Sequence, residues 1–161
     1  MKDALSVYLQ DHLAGAVFGV ELVEALEHDH ELTELGRLAA AWKAEIKADQ
    51  LELRHVAERV GATPNAIKEA IGWISERASR LKLHRESHGD LGTFESLETL
   101  ALGITGKAKL WQTLALAART DERLTGFDFA RLQTRAREQH DEVESYRQRL
   151  AQIVFSRTGQ R

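Results

Sequence analysis

A chain of 161 residues with one proline, no cysteine and a formal charge of −3 is long enough for one domain with a sizeable core. The missing cysteines exclude disulfides, thiolate metal sites and cysteine nucleophiles, and the balanced charge argues against nucleic acid and anionic membranes as partners. Because aromatic residues are few and Ala, Leu, Glu and Arg abundant, we expect an all-α fold in one domain, residues 1–161. Neither a signal peptide nor an apolar run of membrane-spanning length is visible, so we predict a cytoplasmic protein.

Five helices are predicted from apolar periodicity and from residues that start or stop helices. They cover approximately residues 3–28, 33–60, 64–83, 91–118 and 129–155. Thr33 is predicted to cap the second helix and Gly61 to end it, after which Thr63 and Pro64 start the third. The stretch 119–128 is predicted to be a turn with a short helical piece.

Two of these helices carry closely spaced glycine pairs in their interior, Gly15 and Gly19 in the first and Gly103 and Gly106 in the fourth. A glycine inside a helix lowers its stability. We therefore interpret Gly15 and Gly19, one turn apart, as a place where a neighbouring helix approaches closely. Such packing, together with an apolar fourth helix, predicts a homodimer as one form of the protein.

Acidic residues lie on or beside the apolar stripes of the predicted helices. On the second helix the apolar positions are read as a nearly heptad series, namely Leu35, Leu38, Trp42, Leu53, Val56 and Val60. Glu45 and Asp49 fall into this series, so both are predicted to point into the core, where an ionised carboxylate must be neutralised. Glu21 and Glu98 lie beside stripes on other helices. These four acids indicate either a metal site or an ion-pair network with Arg147 or Lys107.

Short connections after the first and fourth helices predict two antiparallel hairpins. Together they form an up-down-up-down four-helix bundle, with the third predicted helix as an additional helix in the crossover connection. In this layout the chain resembles the ferritin-like superfamily, which includes small bacterial stress proteins of the YciE/YciF type. The resemblance implies a di-metal site built from one Glu on each of two helices and a Glu-x-x-His on each of the others. Carried over, it implies Glu21, Glu45 with Asp49, and Glu98 as ligands of Fe or Mn.

The chain departs from that metal pattern at both histidine motifs. Ala48 stands where the second helix should carry histidine, and Arg137 precedes His140 where the ligand Glu should be. Matching residues by depth along the second hairpin places Arg147 beside Glu98, as an ion-pair partner. The missing ligands favour the ion-pair network, which needs no cofactor.

Three functions follow from these observations. The main prediction is a non-catalytic ferritin-like protein with a structural, interaction or stress-related role, without catalytic residues and with a protein partner that the sequence does not name. The alternative is a di-metal carboxylate protein that handles iron or peroxide. A third interpretation is a small-molecule binder with a pocket between the helices near Trp42 and Trp111.

Overall fold

The computed structural model of the protein describes residues 3–62, 76, 79–80 and 86–156. These residues form four long helices, α1 (Ala4–Asp29), α2 (Glu34–Val60), α3 (Asp90–Ala117) and α4 (Phe129–Ser156), and one 3-10 helix, Glu122–Leu124. No strand occurs within these ranges, so the all-α prediction is confirmed. The helix predicted over 64–83 lies almost entirely outside the described residues.

Local capping residues determine where α2 begins and ends, as predicted. The Thr33 hydroxyl accepts a hydrogen bond from the backbone N–H of Gly36 at 3.2 Å, which satisfies one of the unpaired donors at the start of α2. Gly61 ends α2 in the left-handed conformation, with φ of 80°, where a residue without Cβ is favoured. The short helical piece predicted between α3 and α4 is the 3-10 helix.

Two clusters of buried apolar side chains establish the direction of each helix. One cluster joins the C-terminal halves of α1 and α4 to the N-terminal halves of α2 and α3. The other joins the opposite halves, including the 3-10 helix. Consequently α1 runs up, α2 and α3 both run down, and α4 runs up.

The predicted up-down-up-down order is therefore wrong. Helix α3 is parallel to α2, so the connection between Val60 and Asp90 joins opposite ends of the bundle. The prediction assumed that each connection reverses the chain direction. This holds for the two short turns, whereas a 29-residue connection is long enough to return along a helix of about 40 Å.

Helix packing follows from this order. Helix α1 packs on α2 and on α3, and α3 packs on α4. Side-chain contacts also join α2 to α4, for example the hydrogen bond of 3.1 Å from the Trp42 indole nitrogen to a carboxylate oxygen of Glu142. Among the described helices, none is long and apolar enough to cross a membrane.

Candidate functional site

The inward face of α2 carries one acid, not two. Asp49 is 2% exposed, whereas Glu45 lies exposed in solvent. The buried positions on α2 include Leu35, Ala39, Trp42, Ile46, Asp49, Leu53, Val56 and Val60, which alternate in steps of four and three. The prediction that Glu45 points into the core is thus wrong, because Ile46, the next residue along α2, occupies the core position.

Two cations and an amide surround the buried carboxylate of Asp49. The ammonium of Lys107 on α3 contacts one carboxylate oxygen at 2.5 Å, and the guanidinium of Arg135 on α4 contacts the other. The side-chain amide of Gln139, which is 2% exposed, donates to Asp49 at 3.3 Å and accepts a hydrogen bond from Lys107. This cluster, here called the Asp49 network, joins three helices and satisfies a charge that would otherwise be costly to bury.

Lys107 lies at the centre of the Asp49 network, and only 15% of its side chain is exposed. Burial lowers the pKa of Lys107, and the adjacent Asp49 carboxylate opposes that shift. The ammonium carries three N–H donors, two of which are directed at Asp49 and Gln139. One donor therefore remains available for another acceptor.

Glu21 and Glu98 form no ion pair with the Asp49 network. Glu98 is about half exposed and pairs with Arg147 at 3.3 Å, while Glu21 is half-buried on α1. Over the described ranges, no three histidine or acidic side chains come close enough to hold a metal ion. The structure thus places Glu21, Glu45, Asp49 and Glu98 in four different environments.

A cavity of about 310 Å³ lies beside the Asp49 network. Its walls come from α1, α2 and α3, and they are mainly apolar, with Phe18, Leu22, Ile46, Leu53, Ile104 and Leu110 among them. Lys107 and Asp49 form a polar part of the wall, and His12 contributes an imidazole. Burial lowers the pKa of His12, which favours its neutral form at pH 7.

Four glycines line this cavity, namely Gly15, Gly19, Gly103 and Gly106. A Cβ added at any of them would meet no atom of the described residues within 4 Å. Within the described part of one chain, the close helix contact predicted at Gly15 and Gly19 is therefore absent. Instead, the missing side chains leave open space between α1 and α3.

Trp111 lines the same cavity, whereas Trp42 lies elsewhere in the core. Trp111 is fully buried and stacks on Phe129, with 6.2 Å between ring centroids. In the part of the chain that the structure describes, its indole N–H has no hydrogen-bond partner. A buried donor of this kind is unfavourable unless an acceptor reaches it.

Arg135 and Gln139 were not predicted as site residues, although the sequence contains a signal for Gln139. Gln139 continues the buried series Leu132, Ala136, Val143 and Leu150 on α4, so it is a polar residue on an apolar stripe. Arg135 lies four residues before Gln139 and thus on the same side of the helix. Neither residue could be assigned to Asp49 before the helices were packed.

No protein-family model matches this chain, and no curated protein or solved structure matches it either.

Proposed function

We propose that the protein is a non-catalytic helical bundle of ferritin-like architecture that binds a small, largely apolar molecule between α1 and α3. The architecture is supported by one long connection between two antiparallel hairpins, which is the connectivity of ferritin-like folds. The binding function is supported by the cavity of about 310 Å³, which is within the size range of small-molecule sites.

The glycines are the observation that carries this proposal. Gly15 and Gly103 are exposed, so the space between α1 and α3 reaches solvent, and a glycine inside a helix lowers its stability. At Gly15 and Gly103 a larger side chain would fill space and would also favour the helix. The open space therefore does not serve helix packing, and a bound molecule accounts for it.

The Asp49 network supports a non-catalytic role over the di-metal alternative. A metal ion at Asp49 would have to displace two cationic side chains, Lys107 and Arg135, that already occupy both carboxylate oxygens. The remaining candidate acids lie too far apart to complete a ligand set from the described residues. Elemental analysis of freshly purified protein separates the two functions, because the alternative requires stoichiometric Fe or Mn.

Calorimetric titration with 1-decanol tests the binding function. We expect one molecule bound per chain, and at least tenfold weaker binding by Gly103→Leu, whose side chain would occupy the cavity. Ala115→Leu is the matched control, because Ala115 is exposed on α3 and does not line the cavity. Absence of decanol binding to the natural chain, or equal binding by Gly103→Leu, would contradict the proposal.

A further inference from the structure

The Asp49 network, which borders the cavity between α1 and α3, carries more positive than negative charge. Within the Asp49 network, Lys107 and Arg135 supply two positive charges and Asp49 one negative charge. Glu45 also acts on Lys107 through space, but it is exposed, so water and salt screen its effect. Lys107 is the cation of this group that lines the cavity.

Two hydrogen-bond donors on the same wall have no acceptor among the residues that the structure describes. One is the third N–H of the Lys107 ammonium, and the other is the indole N–H of Trp111. Lys107 and Trp111 are four residues apart on α3, so their side chains lie one turn apart on one face of the helix. Both line the cavity.

We infer that the molecule bound between α1 and α3 is a small amphiphile with one carboxylate, which accepts hydrogen bonds from Lys107 and Trp111. This inference rests on the proposed function and specifies its ligand. A carboxylate offers two acceptor oxygens and balances the excess positive charge, and hydrogen bonds between charged groups are the stronger ones. An alcohol would satisfy a donor and leave the charge unbalanced.

The volume of the cavity limits the apolar part of this ligand. A cavity of about 150 Å³ holds one molecule the size of benzene. By proportion, the cavity of about 310 Å³ holds on the order of twelve non-hydrogen atoms. Decanoate has this size and serves as the probe.

The test compares decanoate, methyl decanoate and 1-decanol by calorimetry at pH 7.5, with the full chain. We expect decanoate to bind at least tenfold more tightly than either neutral compound. This comparison uses the natural chain alone, so it does not depend on the folding of any variant. Equal affinity for decanoate and 1-decanol would overturn the inference and leave the proposed function standing, whereas failure of all three compounds to bind would overturn both.

Two variants test which residues cause the preference for decanoate over 1-decanol. Lys107→Met is expected to lose the preference for decanoate and to keep its affinity for 1-decanol. Trp111→Phe is expected to bind decanoate about threefold more weakly or worse, while the ring at position 111 still stacks on Phe129. Lys109→Met is the matched control, because Lys109 is exposed on α3 and does not line this cavity. An unchanged preference in a folded Lys107→Met protein would refute the role of Lys107.

A second copy of the chain is the competing occupant of this space. In that case sedimentation would show that the natural chain is a dimer and that Gly103→Leu is a monomer, and calorimetry would show no binding of decanoate. This result would overturn the inference.

Discussion

Replacing Asp49 by asparagine removes the negative charge from the Asp49 network and leaves Lys107 and Arg135 without a counter-charge. Removing one partner of a buried ion pair typically lowers the free energy of unfolding by about 3–5 kcal/mol. Because 15% of the Lys107 side chain and 26% of the Arg135 side chain remain exposed, water relieves part of this penalty. We therefore expect a loss near the lower end, about 3 kcal/mol.

Urea and thermal unfolding, followed by far-ultraviolet circular dichroism at pH 7, measure this loss. For a chain of this length, about 3 kcal/mol corresponds to a fall in Tm of roughly 6–12 °C. Glu98→Gln is the matched control, since Glu98 is 52% exposed and its pair with Arg147 should contribute less than about 1 kcal/mol.

A double variant tests the cause of the loss. If the penalty arises from buried cations without a counter-charge, Lys107→Met should restore part of the stability that Asp49→Asn removes. The reasoning would be refuted if Asp49→Asn were no more destabilising than Glu98→Gln. It would also be refuted if adding Lys107→Met made the Asp49→Asn protein less stable still.

Three further predictions concern local contacts. Hydrogen bonds from Arg147 lower the pKa of Glu144 to about 2 from its usual 4.5. This carboxylate therefore stabilises the fold above pH 4.5, and the stabilisation is lost as the pH falls towards 2. In Glu144→Gln, urea titrations should show that the free energy of unfolding falls by at most about 1 kcal/mol at pH 7 and depends less on pH in the acid range. Gly36→Ala should lower the free energy of unfolding, measured by urea titration, by about 1–3 kcal/mol, because its Cβ would overlap a backbone carbonyl in the turn before α2. Gly15→Ala should be neutral or stabilising by up to about 1 kcal/mol. Thr33→Ala should lower the free energy of unfolding by about 1 kcal/mol through loss of the α2 cap, and an unchanged urea midpoint would contradict that role.

The candidate site could be predicted in part. Asp49 was recognisable as a buried acid because it belongs to the core-facing series of α2 whether that series runs through Glu45, as predicted, or through Ile46, as observed. Glu45 was misplaced because adjacent helix positions differ by only about 100°, so Glu45 and Ile46 both lie near the stripe. Which of them faces the core depends on how α2 is rotated against its neighbours, and the apolar side chain then takes the buried position.

Helix content and helix boundaries were determined by the sequence itself, because capping and hydrogen bonding between residues four apart are local. The Thr33 cap and the Gly61 end of α2 are examples, and each is decided by one residue and its immediate neighbours. Only the tertiary structure decided the direction of α3, the cations that reach Asp49 and the open space beside Gly15. These features depend on residues far apart in the chain, whose positions follow from the burial of all four helices together.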